Sequence, residues 1–199
     1  MKKYEADRSF TNYVHTHLAI SKIYSELGWK IKHIAVKELE RIDMHEGIDY
    51  VVSDKENKTR YIQERFRDNH YKDFNDATLR YRRDYNKHKS RVKSEFYKIK
   101  ADYLLYGITN GKKFEDQRHS LTGFIKWVVL DLDFIRQQFR KGNLKVENSK
   151  RFTCWIDDNK LICPINFNED TSSSFIPLDI KLIKQLWGSA PIMAQKGFL

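Results

Sequence analysis

Proline, cysteine and long apolar runs are all scarce in this chain, and each shortage closes off a class of protein. Three prolines in 199 residues leave no stretch that reads as a long linker. Two cysteines, Cys154 and Cys163, with no second pair make a structural zinc site a poor fit, since such sites draw on four ligands. They flank Asp158-Asn159, and a two-residue turn there sets Trp155 opposite Ile162 and Cys154 opposite Cys163. That pairing allows a disulfide, but without a secretion signal the expected state is two thiols packed on one apolar strand face. No apolar run approaches the ~20 residues that span a bilayer. Met1-Lys2-Lys3-Tyr4-Glu5 has no signal-like apolar stretch behind it, so a cytoplasmic location is expected. The eight glycines are scattered; the chain has neither a G-x-x-x-x-G-K phosphate loop nor a G-x-S-x-G elbow.

What the chain does have is aromatic surface and positive charge. Aromatics make up 14% of the residues, too many for a chain that stays unfolded, and the length suits a single domain with a real core. Thirty-seven Lys and Arg against 27 Asp and Glu give a net charge of +10. Most of that surplus is local, because thirteen basic residues face six acidic ones between Arg60 and Lys100. Arg67, Arg80, Arg82, Arg83, Lys87, Lys89, Arg91 and Lys93 belong to this run, interleaved with Tyr71, Phe74, Tyr81, Tyr85, Phe96 and Tyr97. Cations at this density release counterions from a phosphate backbone, and aromatics among them offer stacking contacts. DNA is the expected partner, with RNA as the alternative. A membrane surface fits less well, since residues 86–99 offer only Val92, Phe96 and Ile99 as an apolar face. No membrane partner is expected.

Hydrophobic spacing outlines the elements. Phe10, Tyr13, Val14, His17, Leu18, Tyr24 and Leu27 recur at helical steps, with Gly28 as the stop. An extended stretch follows over 29–36. Residues 47–52 and 59–66 read as two strands joined by the polar turn 53–58, and 101–107 as a buried strand. A charged helix is expected over 86–99, and 77–81 within the basic insertion at 67–85 could be a strand. Beyond the Asn110-Gly111 turn, 121–139 carries a second long helical pattern, followed by the hairpin at Asp158-Asn159 and a helix after Pro177. Residues 1–110 form the expected core. Residues 111–199, comprising helix, hairpin and C-terminal helix, pack on it within a single domain.

One constellation could carry chemistry. Asp49 sits near the start of the first strand of the pair. Gln63 and Arg65, two apart on the second, leave the same sheet face, while Glu64 points to the other. An acid, an oxygen ligand and a cation so arranged can build a metal-dependent phosphodiesterase centre. The oxygens hold Mg²⁺, the metal activates a water and polarises the phosphate, and the cation offsets developing charge. His15-Thr16-His17 does not make a metal site on an α-helix, because those two rings diverge. Asp131 and Asp133 diverge likewise and read as solvated charges.

Glu46-Gly47-Ile48-Asp49-Tyr50-Val51-Val52 followed by Tyr61-Ile62-Gln63-Glu64-Arg65-Phe66 resembles the PD-(D/E)xK nuclease superfamily, in the branch whose second half-motif carries Gln. The resemblance implies an α/β fold: a restriction-endonuclease-like αβββαβ core, its central mixed sheet flanked by helices, with a C-terminal α+β extension. It implies Mg²⁺ or Mn²⁺ held by Asp49 and Gln63, with Arg65 at the position of the family's catalytic lysine. Arg65 stays protonated, so it suits clamping phosphate better than accepting a proton. Glu64 replaces Gln63 on the metal side if the strand is bulged. His17 falls where some members carry a helix-one Glu, and Glu46 is either a further carboxylate ligand or a turn residue. The implied activity is a divalent-metal-dependent DNA endonuclease of restriction, phage or mobile-element type. The alternative is a non-catalytic nucleic-acid-binding protein on the same fold, and either can work as a homodimer.

Overall fold

The apolar spacing at the N-terminus becomes a helical rod in the computed structural model, which describes residues 3–82, 95–168 and 173–199. The rod comprises α1 (Lys3–Val14), a π-helical segment (His15–Tyr24) and α2 (Ser25–Leu27). It ends at Gly28, whose φ of 68° is the left-handed conformation that stops a helix. Phe10, Val14, Leu18, Ala19, Ile23 and Tyr24 are buried on its inner face.

That face covers one side of a six-stranded sheet. Its strands are β1 (Lys30–Ile31), β2 (Tyr50–Ser53), β3 (Thr59–Arg67), β5 (Tyr103–Thr109), β6 (Phe124–Asp131) and β12 (Ile192–Lys196), in the order β1-β2-β3-β5-β6-β12. β3 and β5 run parallel, and the other neighbours are antiparallel. A strand buried on both faces reads as a continuous apolar run rather than an alternation. β5 and β6 fit that description: Leu105 and Val129 meet the rod, while Leu104, Tyr106, Val128 and Leu130 belong to the core on the opposite face.

The second core gathers residues from α3 (Val36–Glu46), α4 (Glu95–Lys98), α5 (Leu132–Arg140) and α6 (Ile180–Trp187). It also takes in two three-stranded sheets. One contains β4 (Asp76–Arg82), β10 (Asn166–Phe167) and β11 (Ser174–Asp179) in the order β10-β11-β4. The other contains β7 (Leu144–Glu147), β8 (Trp155–Asp157) and β9 (Lys160–Pro164) in the order β7-β9-β8. The architecture is thus mixed α/β with a central mixed sheet and helices. Among the described residues no helix is long and apolar enough to cross a membrane.

Several expectations change. The helical pattern over 121–139 is a strand followed by a helix. Trp127, Val128, Val129 and Leu130 are each at most 3% exposed, and such a run has the same composition in a buried helix or a doubly covered strand. Asp131 is a helix cap rather than a solvated charge: its carboxylate accepts from Phe134 N at 2.8 Å. Asp133, one turn in, pairs with Arg136. Neither α3 nor β12 is expected from the sequence spacing. The segment after residue 110 does more than pack on the core, since β6 and β12 are strands of the core sheet itself. The stretch 77–81 is a strand, β4, and it pairs with β11 from the far end of the chain. Of the expected helix over 86–99 only α4 lies within the described residues.

The hairpin forms with Trp155 opposite Ile162. Asp158 and Asn159 take φ of 46° and 56°, as the favoured two-residue turn requires. Cys154 and Cys163 are free buried thiols, 3.7 Å apart at sulfur.

Candidate metal and phosphate site

Two local features bring Asp49 to Gln63. α3 ends at Gly47 with φ 62°, which turns the chain sharply into β2. Asp49 N then donates to Ile62 O at 2.8 Å, extending the β2–β3 ladder one step so that Asp49 stands beside Gln63. Asp49 Oδ2 accepts from Gln63 Nε2 at 2.7 Å and from the backbone N–H of Glu64 at 2.7 Å. Gln63 Nε2 also lies 3.4 Å from Glu64 O. Gln63 Oε1 is buried and has no hydrogen-bond partner. A Cβ on residue 47 would come within 3.3 Å of that oxygen, so glycine there serves both the turn and the space.

Buried polar atoms are almost always paired, because desolvation without a partner costs about 1–3 kcal/mol. The Gln63 amide meets Asp49 and the Glu64 carbonyl through its nitrogen, and its orphaned Oε1 points elsewhere. With the amide turned so that Oε1 faces Asp49, the carboxylate and amide oxygens are hard donors of the kind that suit Mg²⁺ or Mn²⁺. Among the described residues no group of three His, Cys, Asp or Glu side chains is gathered around a common point. An ion at Asp49 would therefore have one carboxylate and complete its shell with the Gln63 amide oxygen and water.

Arg65 is half-buried and shares the Gln63 face, as strand alternation requires. Glu64 faces the other way, since β3 carries no bulge there, and so it is not on the metal side. Its side chain is fully buried beneath the rod. There Glu64 Oε2 accepts from His15 Nδ1 at 2.9 Å, and Oε1 accepts from the Tyr24 hydroxyl at 2.6 Å. The Tyr50 ring stacks on His15, with centroids 3.6 Å apart. Burial first, and the Glu64 charge next, hold the Tyr24 hydroxyl well above its ordinary range, so it stays protonated and donates.

His17 is exposed, stacked on Tyr13 and bonded to the Tyr13 carbonyl, away from Asp49. The histidine that reaches β3 is His15. Positions 15 and 24 fall on opposite faces of an α-helix but are about two turns apart in the wider π winding, which puts both over Glu64. Glu46 ends α3 with its carboxylate 3.4 Å from Arg41 and 3.7 Å from Lys100, and so serves as a charge at the turn.

No protein-family model, curated protein or solved structure matches this chain. The site is therefore read from its own residues.

In the basic run, Arg67 is half-buried with its guanidinium 5.2 Å from the Tyr71 ring centroid. Arg80 is half-buried and Arg82 exposed, both on β4. Arg83, Lys87, Lys89, Arg91 and Lys93 lie outside the described residues. Sequence reasoning missed Thr78, Asp76, Tyr106 and Lys126, which gather near Arg65 and Arg67. Burial and the charge of Asp179 push the Asp76 carboxyl up to about 6, while Arg67 and Lys126 act in the other direction. A buried lysine within the Ile125-Lys126-Trp127 strand was the available signal for this cluster.

Proposed function

We propose that this chain is a divalent-metal-dependent DNA endonuclease on a restriction-endonuclease-like core. The observation that carries the reading is the pairing of Asp49 with Gln63 at 2.7 Å, beside a buried Gln63 oxygen that has no partner. Within the chain order helix, β1, α3, β2, β3, β4, α4, β5, the pairing of β1, β2 and β3 as antiparallel neighbours and of β5 parallel to β3 supports it, with α3 and β4 as insertions into that core order. So does the basic, aromatic run that continues from β3.

Asp49 and Gln63, its amide oxygen turned toward Asp49, would hold Mg²⁺ or Mn²⁺. Such an ion polarises a phosphate and lowers the pKa of a bound water. Arg65, on the same face two residues further on, stays protonated and offsets charge on the phosphate. Glu64 contributes its backbone N–H, which fixes the Asp49 carboxylate.

Cleavage of supercoiled plasmid with Mg²⁺ or Mn²⁺ tests the reading. Wild type is expected to nick or linearise the DNA, and Asp49→Ala to lose at least about 10²-fold in rate. No metal-dependent cleavage of duplex, branched or single-stranded DNA, or of RNA, would overturn it. A second reading, non-catalytic binding on the same fold, is favoured by Gln63 and Arg65 standing in place of the superfamily's more usual Glu and Lys. It predicts nucleic-acid binding indifferent to chelator and to Asp49→Ala.

A further inference from the structure

Where β3 ends, the chain makes a short loop that leaves aromatic rings in solvent. His70, Tyr71 and Phe74 follow Arg67 closely, and all three are exposed, Tyr71 by 36% and Phe74 by 51%. Single exposed apolar residues are ordinary, but these rings are neighbours. The Arg67 guanidinium lies 5.2 Å from the Tyr71 centroid, the His70 ring meets Tyr71 edge-on at 5.3 Å, and the Phe74 ring sits 6.0 Å from Tyr71. Tyr81 and Phe96 of the same basic run belong instead to the buried core and offer no face.

The backbone beneath the rings is held in place. A 3-10 turn (Asn69–Tyr71) is capped by Asp68, whose Oδ1 accepts from His70 N at 3.2 Å and whose Oδ2 accepts from Lys113 N at 3.3 Å. Asn69 N donates to Gly111 O at 3.0 Å, which ties the turn to the connection between β5 and β6. Phe74 N donates to Tyr71 O at 3.2 Å, and Phe74 O accepts from Lys126 Nζ of β6 at 2.9 Å. The His70 and Phe74 planes lie at 86° and 48° to Tyr71, so the rings do not close face to face on one another. Charge does not account for the loop, because Arg67 and Lys72 are balanced by Asp68 and Asp73. What it presents is a fixed aromatic surface with a planar cation at its edge, the chemistry on which a nucleobase stacks.

We propose that Tyr71 and Phe74, with Arg67 beside them, form a stacking platform for unpaired bases, and that the chain's substrate class is single-stranded or branched nucleic acid rather than unbroken duplex. Bases inside a duplex stack on each other and turn only their edges to the grooves. Rings on a protein surface therefore reach a base face where the strand is unpaired. The loop starts at the end of β3, about 13 Å along the strand from Gln63 at ~3.3 Å per residue. A strand engaged at the metal pair can thus set a nucleotide a few units away on the platform. The proposal rests on the nucleic-acid reading above and names the form of nucleic acid that the site takes.

The test is fluorescence anisotropy of a labelled single-stranded DNA oligonucleotide and of its duplex, in EDTA over a series of salt concentrations, so that neither metal nor cleavage enters. Wild type is expected to bind the single strand more tightly than the duplex. Tyr71→Ala and Phe74→Ala are each expected to bind the single strand about tenfold more weakly and the duplex within about twofold of wild type. The salt slope is expected to stay unchanged, since neither variant removes a cation. Tyr71→Phe and Phe74→Tyr keep a ring and are expected to retain the affinity. Thermal unfolding of each variant controls for folding. Should an alanine variant not fold, Tyr71→Leu and Phe74→Leu, which keep apolar bulk but lose the ring, carry the test. Wild-type affinity for the single strand in the ringless variants, or an equal loss on both forms of DNA, overturns the platform.

If the wild type cleaves nothing but the ringless variants still lose single-strand affinity, the nuclease reading falls and the platform stands. If the wild type cleaves plasmid and the ringless variants bind single strands as it does, the platform falls and the nuclease reading stands. If the wild type binds no oligonucleotide at any salt, both fall. A wild type that self-associates, with Phe74→Ala monomeric and its single-strand affinity unchanged, would assign the rings to a contact between copies and overturn the platform.

Discussion

Asp76 shows how one side chain records its surroundings. Burial raises its carboxyl to about 6 from the ordinary 3.8, with the Asp179 charge adding to the effect and Arg67 and Lys126 opposing it. A carboxyl whose folded value is raised binds its proton more tightly in the native state. Between about pH 4 and 6 the native protein therefore holds more protons than the unfolded chain, and stability falls as pH rises through that window. The full effect is present above pH 6 and amounts to at most roughly 3 kcal/mol, at about 1.4 kcal/mol for each tenfold change in proton affinity. Asp76→Asn removes the titration. It is expected to be the more stable protein at pH 8 by about 1–3 kcal/mol and to lose part of the fall between pH 4 and 6. Urea unfolding at both ends of the window measures this, and identical pH profiles for the two proteins would contradict the assignment. None of this is legible in the sequence, where Asp76 is one acid among six in a basic run. Asp49 and Gln63 are legible because a strand–turn–strand pattern fixes register within a few residues, and register alone sets them side by side.

At the scale of elements, legibility follows how local the deciding interactions are. The β2–β3 hairpin, the β8–β9 hairpin and the Gly28 stop are each set by turn chemistry within a few residues. The strand β6 is decided by what covers its two faces, namely the rod on one side and the α5–α6 layer on the other, and no short window contains that. The π-helical segment is harder still, because its widened turn changes which residues share a face. Assuming α-helical winding favours His17, whereas the π winding delivers His15 and Tyr24 to Glu64. That network ties the rod to β3 at the residue whose N–H holds Asp49. Glu64→Ala leaves two buried donors without acceptors and is expected to cost about 2–5 kcal/mol in urea unfolding. Glu64→Gln keeps one acceptor and is expected to cost clearly less. An alanine variant as stable as wild type would show that the rod is held by its apolar face alone.

At the scale of the molecule, the decisive fact is that the sheet is woven from both halves of the chain. β5 lies between β3 and β6, and its antiparallel ladder with β6 runs from Tyr103 opposite Asp131 to Thr109 opposite Phe124. β4, inside the basic insertion, pairs with β11 rather than with its sequence neighbours. A chain ending at residue 110 keeps the candidate metal pair in sequence. It leaves β5 as an exposed apolar edge, leaves β4 without a partner, and uncovers Leu104, Tyr106 and Ile108, each at most 2% exposed in the whole chain. Residues 1–110 alone are therefore expected to show no cooperative urea transition and to aggregate, whereas the full chain unfolds in one step. Circular dichroism across a urea series distinguishes the two outcomes. A cooperative transition in the fragment would restore a separable core. Its absence would mean that Asp49, Gln63 and the polar cluster around Arg67 depend on the C-terminal half for their geometry, because Lys126 and the β11 partner of Thr78 both come from it.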